Sequence, residues 1–264
     1  MVKAQGAGVA QQRFRRVAAP VARRLWKIET KGFERLPAEG PAILCPNHIS
    51  FIDSVFLALS VPRNISYVGK SEYMDSWKTK YIFPAMGMIP IDRTGGSKSA
   101  AALETAARVL RKGELFGLFP EGTRARDGKI HKGRTGAARL AIEIGAPIYP
   151  VGITGTDLIQ PPDAKVPKLF KSCTIEVGRP IRPERYAAMP ERHRALRAMT
   201  DEVMFEICQI TGVEYVNTYA GKSEEAHAET REPAKPAHVN ETAEAEATAL
   251  AEAALHRDLA AVPV

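Results

Sequence analysis

Short apolar runs alternating with helix-length stretches are the feature that most limits how this chain can fold. "AILC" (42–45), "ISYVG" (65–69), "MIPI" (88–91), "LFGLF" (115–119), "IYPVGI" (148–153) and "CTIEVG" (173–178) have the length and composition of buried strands. Residues 50–60, 76–84, 97–112, 134–144 and 190–211 read as helices between and after them. Alternation of this kind predicts an α/β domain with a largely buried sheet and functional loops at the strand ends. Pro150 removes a ladder donor from its run and marks an edge strand or a bulge. The chain of 264 residues has ample sequence for such a core.

The two ends differ from this middle in charge. Residues 1–35 carry nine Lys and Arg against two Glu, whereas residues 221–264 carry four basic and nine acidic groups. Within "AQQRFRRVAAPVARRLWKIETK" (10–31), Phe14, Val17, Val21, Leu25 and Ile28 recur every three or four residues, with arginines on the remaining arc. This is a basic amphipathic helix with Pro20 as a kink point. It either docks on the domain or lies on an anionic membrane with Trp26 at the interface. The Ala- and Glu-rich tail is a solvated appendage, disordered or helical from about Glu241, and carries no chemistry. The organisation expected is a membrane-associating segment (1–35), a domain (36–220) and an acidic tail (221–264).

Composition excludes several classes. Cys45, Cys173 and Cys208 are scattered and odd in number, which argues against a disulfide framework or zinc knuckle and for a reducing compartment. No apolar run approaches the ~18 residues of a membrane span, and the front end lacks a secretory h-region. The expectation is a cytosolic protein, at most attached peripherally to a membrane. No recognised nucleic-acid-binding motif occurs. Aromatics interleaved with lysines in "DSWKTKYIFPAMGM" (75–88) suit a core helix or the rim of a greasy cavity.

Four loops carry the candidate chemistry. In "CPNHISFIDS" (45–54), His48 and Asp53 are five apart, a spacing that does not share a helix face. Ser50 and Asp53 fit a capping box, which puts His48 outside the helix, able to fold back over its first turn. Asp53 then serves either as a cap or as the carboxylate that fixes one ring nitrogen and leaves the other as a base. "GMIPIDRTGG" (87–96) ends a strand with Asp92 and Arg93 beside glycines, an arrangement for an ion pair or a phosphate grip. "LFGLFPEGTRARDGKIHKGRTGAARLA" (115–141) follows a strand with Glu121, Gly122, Thr123 and Arg124, where a close backbone approach and a guanidinium make an anion site. Lys132 and Arg134 add positive field. It is not a nucleotide-binding loop, since five residues separate Gly122 from Gly128 and Ile130 stands where Ser or Thr is required. "GAPIYPVGITG" (145–155) reads as packing.

In this order the motifs NHxxxxD, IDR, FPEGTR and a P-I-x-P-V strand resemble the glycerolipid acyltransferase family, over about residues 30–215. The chain departs from the family's second motif at Pro90, while Asp92 and Arg93 are intact. The resemblance implies a mixed sheet flanked by helices and an O-acyl transfer from coenzyme A or acyl carrier protein to a glycerol hydroxyl, without metal or cofactor. It implies that His48 is the general base, that Asp53 orients it, and that Arg93, Glu121, Gly122, Thr123 and Arg124 hold the acceptor's phosphate. Asn47, Ser50 and Lys132 are accessory candidates. The expected acceptor is 1-acyl-glycerol-3-phosphate, with glycerol 3-phosphate or another lysophospholipid as alternatives. A non-catalytic membrane-binding protein is the rival from another class. The expected location is the cytoplasmic membrane face. Backbone N–H groups at the start of the 50–60 helix are the expected oxyanion donors.

Overall fold

The computed structural model describes residues 8–70, 79–91, 98–162 and 164–220. In chain order its elements are α1 (Val9–Leu25), β1 (Lys27–Lys31), β2 (Ala42–Pro46), α2 (Asp53–Ser60), β3 (Ile65–Lys70), α3 (Thr79–Ala85) and β4 (Met88–Ile91). There follow α4 (Lys98–Arg111), β5 (Leu115–Gly117), β6 (Ile130–His131), α5 (Gly136–Ile144), β7 (Ile148–Thr154) and α6 (Thr156–Ile159). The chain continues through β8 (Ser172–Val177), α7 (Glu184–Ala187), α8 (Arg192–Thr211) and β9 (Tyr215–Val216).

The main sheet has seven strands in the order β1-β8-β7-β2-β5-β3-β4. Strands β7, β2, β5, β3 and β4 run parallel, and β8 turns antiparallel to β7 with β1 parallel to it. The sheet is therefore mixed, as expected. Both faces are covered, which a mostly parallel sheet requires. Alternation along the fully buried β2 divides its side chains: Ile43 and Cys45 join a core with α4, α5 and α8, while Ala42 and Leu44 join Phe56 and Leu57 of α2 on the other face. Five parallel strands thus deliver their C-terminal ends, and the loops that follow, to one edge of the domain.

Three expectations change. Residues 27–31 form edge strand β1, not more helix: α1 stops where Trp26 turns to extended backbone (φ −137°, ψ 142°). Ile28 and Thr30 favour a strand, and Lys27 and Lys31 suit an exposed edge. Secondly, α1 docks through Gln11 and Ala22 rather than through its valines. The Gln11 amide donates to the carbonyls of Ile65 and Met86 (2.8 and 2.7 Å) and accepts from the Ile65 N–H (3.0 Å). Thirdly, Pro150 sits in an interior strand at a break in pairing. Ile148 pairs with Ile181 and Val151 with Val177, four residues opposite five, so the missing N–H falls at an irregularity. Trp77, Lys78, Asp92, Arg93 and the acidic tail lie outside the described residues. Among the described residues, no helix is long and apolar enough to cross a membrane.

Candidate active site

The site begins where β2 ends. The Asn47 side chain extends the β2–β7 pairing one step, donating to the Ile153 carbonyl (2.9 Å) and accepting its N–H (2.7 Å). His48 follows with both its peptide groups held by the loop after β5. Its N–H donates to Glu121 Oε1 (3.0 Å), and its carbonyl accepts from the Ala125 N–H (2.7 Å). The imidazole stacks on Phe119 (centroids 4.0 Å, 26°), and Phe119 in turn lies over Tyr67. Gly117 makes room for this floor, since a Cβ there would lie 2.0 Å from the Tyr67 ring. Two loops far apart in sequence are thereby locked together.

Asp53 is fully buried, and its Oδ2 accepts from His48 Nδ1 (2.9 Å) and from the N–H groups of Ile49 and Ser50 (both 2.8 Å). The oxygen that fixes the imidazole also ties down the loop N–H groups before the helix, while the helix itself has no side-chain cap. The helix starts at Asp53 itself and not at Ser50. Ser50 Oγ instead donates to the Gln160 carbonyl (2.7 Å). A carboxylate oxygen that only accepts requires the proton on Nδ1, so the neutral ring presents the lone pair of Nε2. The expected oxyanion donors are not free: the N–H groups of Ile49 and Ser50 go to Asp53, that of Ile52 to Ser50 Oγ and that of Asp53 to the Ser50 carbonyl.

Glu121 differs from its neighbours in the loop. It is fully buried, and its second oxygen accepts the His131 N–H (3.0 Å), so both oxygens serve backbone groups. Burial raises its pKa to about 7, against the lowering effect of the His131 and His48 N–H bonds. Gly122 (φ 80°) and Thr123 face solvent, with Arg134 lying against Gly122 where a Cβ would meet its Nε at 2.9 Å. Arg124 is half-buried and donates to the Pro162 carbonyl (3.3 Å). Lys132 and Arg134 both approach the Tyr219 ring (5.8 and 5.2 Å). The loop therefore offers a basic shelf next to the histidine, suited to an anionic ligand. His48, Asp53, Ser50 and Glu121 are joined by hydrogen bonds, Asn47 precedes His48, and Gly122, Thr123 and Arg124 follow Glu121 in the same loop; Arg93 lies outside the described residues.

Phe119 beneath the ring, Tyr219 beneath the cations and the bond to Gln160 have no local signal in the residues around them. These contacts join residues remote in the chain. Only Glu121 was visible, and its inward direction was not.

Residues 27–154, just under half of the chain, match the Acyltransferase family profile. The chain is 30% identical over 137 residues to the chloroplastic 1-acyl-sn-glycerol-3-phosphate acyltransferase of Arabidopsis thaliana, covering 52% of this chain and 38% of that protein. It is 28% identical over 172 residues to the enzyme of the same name from Bacillus subtilis, covering 64% and 80% respectively. The chain thus spans well under two thirds of the Arabidopsis relative's length. In fold it is similar to the crystal structure of the 1-acyl-sn-glycerophosphate acyltransferase PlsC from Thermotoga maritima, with a TM-score of 0.59, 21% identity, and coverage of 76% of this chain and 78% of that one.

Proposed function

We propose that the protein transfers a long-chain fatty acyl group from an acyl thioester to the free hydroxyl of a 1-acyl-glycerol-3-phosphate, giving phosphatidic acid for phospholipid biosynthesis. The observation that carries this reading is His48, tied at Nδ1 to buried Asp53 with Nε2 left for a substrate, beside the shelf of Gly122, Thr123 and Arg124. The family-profile match over residues 27–154 and the names of the relatives support it.

Nε2 takes the proton of the acceptor hydroxyl while its oxygen attacks the thioester carbonyl. A C–O bond forms, the C–S bond breaks as the tetrahedral centre collapses, and the proton passes to the leaving thiolate. A thioester is already activated, so no enzyme nucleophile and no cofactor is required, and general-base help is worth about 10²–10⁴ in rate. Holding the acceptor phosphate on the basic shelf supplies orientation. The carrier is coenzyme A or acyl carrier protein, and α1 attaches the protein peripherally to anionic lipid on the cytoplasmic face.

The test is thiol release from palmitoyl-coenzyme A by purified protein, with and without 1-acyl-glycerol-3-phosphate. The expected result is release that needs the lysolipid and is lost in His48→Ala. Release only with glycerol 3-phosphate would change the acceptor, and release without any acceptor would make the protein a thioester hydrolase. No release from either carrier would favour a binding protein.

A further inference from the structure

The connection from β7 to β8, residues 155–171, contributes only backbone carbonyls to the site, yet it carries the most exposed aromatic of the described residues. Phe170 is 79% exposed and Val166 74%, with Leu169 beside them. Phe170 is also the non-glycine residue with a positive φ (58°) among those described. An L-residue with a bulky side chain is strained there, and a turn facing only water is better served by glycine or asparagine.

This segment is not a loose tip. The Phe170 N–H donates to the Leu25 carbonyl (2.8 Å), the Lys27 N–H to Lys171 (3.0 Å) and the Lys168 N–H to Ile159 (2.7 Å). Trp26, the aromatic expected at a membrane interface, is instead committed inward: it packs on Phe56 (5.4 Å) and donates Nε1–H to the Lys168 carbonyl (2.8 Å). The end of α1 therefore presents Phe170 outward. Val17 and Val21, both exposed, stand one turn apart on α1 in the row that leads to Leu25. Exposed Lys165, Lys168 and Lys171 interleave with the apolar residues.

We propose that this segment is a second membrane contact, in which Phe170 and Val166 enter the lipid while Lys165, Lys168 and Lys171 meet anionic headgroups, continuous with the valines of α1. The proposal deepens, and rests on, the membrane-surface reading given above. It commits to lipid because apolar side chains flanked by cations suit an interface of acyl chains under anionic headgroups. The segment also bears on the site, since its Gln160 and Pro162 carbonyls accept from Ser50 and Arg124. Docking would set the histidine loop near the surface that supplies a lysolipid.

The experiment is co-sedimentation with phosphatidylcholine–phosphatidylglycerol vesicles over a salt series. Val166→Ser with Phe170→Gly should lower partitioning about tenfold or more. The melting temperature should hold or rise, because glycine relieves the left-handed strain. Turnover of detergent-dispersed acceptor should be unchanged. Replacing the three lysines by serine should flatten the salt dependence. In Phe170→Trp, added fluorescence quenched by brominated lipid would place the side chain in the bilayer. Full binding by the double variant, with binding lost in Val17→Ser with Val21→Ser, would overturn the second contact and leave the α1 reading standing. Wild-type protein that binds no vesicle would overturn both. Intact vesicle binding with impaired turnover from acyl carrier protein would assign the patch to an acidic protein instead.

Discussion

Two histidine–aspartate pairs stand on opposite sides of one carboxylate. Glu121 accepts the N–H of His48 with one oxygen and that of His131 with the other. Beyond this the pairs are built in reverse. His48 bonds Asp53 through Nδ1 alone, with the carboxylate fully buried and the ring 18% exposed. His131 bonds both Asp127 oxygens through Nε2 (3.0 and 3.1 Å) and the Thr218 carbonyl through Nδ1 (3.2 Å), with the ring 2% and the carboxylate 37% exposed. A base needs a fixed anchor below and an open nitrogen above. His131 has the contrary arrangement and acts as a strut, pinning β6 to the segment after β9. On the proposed reading the same two residue types therefore do different work, decided by which end faces water.

The largest effect should come from the open ring. His48→Ala is expected to lower thioester turnover by about 10²–10⁴ with little change in melting temperature; turnover within a few-fold of wild type would remove the proposed base. Asp53→Asn comes next. An amide can still accept from one N–H, but it no longer fixes the imidazole tautomer, so a loss at the lower end of about 10²–10⁴-fold is expected, beside a stability cost of about 1 kcal/mol for a buried N–H left unpaired. A variant that loses stability and keeps turnover would reduce Asp53 to a cap.

How far these pairs were legible from sequence follows from the range of each contact. His48 and Asp53 lie in one short loop, so cap chemistry and spacing sufficed to suggest their contact. The runs at 42–45, 65–69, 88–91 and 148–153 were legible as strands because their apolar content is local. β1 was hidden because its residues continue the helical spacing of α1, and only pairing with β8 makes them a strand. Likewise β6 and β9, two residues each, exist through each other. The start of α2 was misplaced because Ser50 is a good cap in isolation, while its hydroxyl is drawn to Gln160 by the tertiary fold. The resemblance groups Glu121 with the phosphate-holding residues, and Pro-Glu-Gly after a strand carries no signal that the carboxylate points inward.

Glu121 sharpens the comparison because it serves both pairs. Its folded pKa of about 7 lies above the ordinary 4.5, so in that window the folded state holds the extra proton. Its contribution to stability is fully present below the ordinary value and is lost as pH rises through about 7. Glu121→Gln should therefore flatten the change in unfolding free energy between about pH 4.5 and 7, an effect of a few kcal/mol at most, read from urea melts across that range. Its amide turns a donor toward one N–H, so kcat/KM should fall about tenfold. An unchanged pH slope would mean that burial does not tax this carboxylate.

The smallest effect should come from Asp127. Burial pushes its pKa up, but the bond from His131 and the Lys129 N–H outweigh this and hold it below the ordinary carboxylate value. Such a group stabilises the fold above its unfolded pKa and loses that contribution as pH falls through the folded one. Because the carboxylate is 37% exposed, solvent screening limits the gain to under about 1 kcal/mol. Asp127→Asn should thus lower stability at neutral pH by a few tenths of a kcal/mol to about 1 kcal/mol, lose part of the destabilisation seen below about pH 4, and leave kcat unchanged. Urea melts at two pH values and one turnover assay decide it. If Asp127→Asn instead cut turnover as deeply as Asp53→Asn, the direction a pair faces would not be what separates a base from a strut, and His131 would have to join the reacting groups.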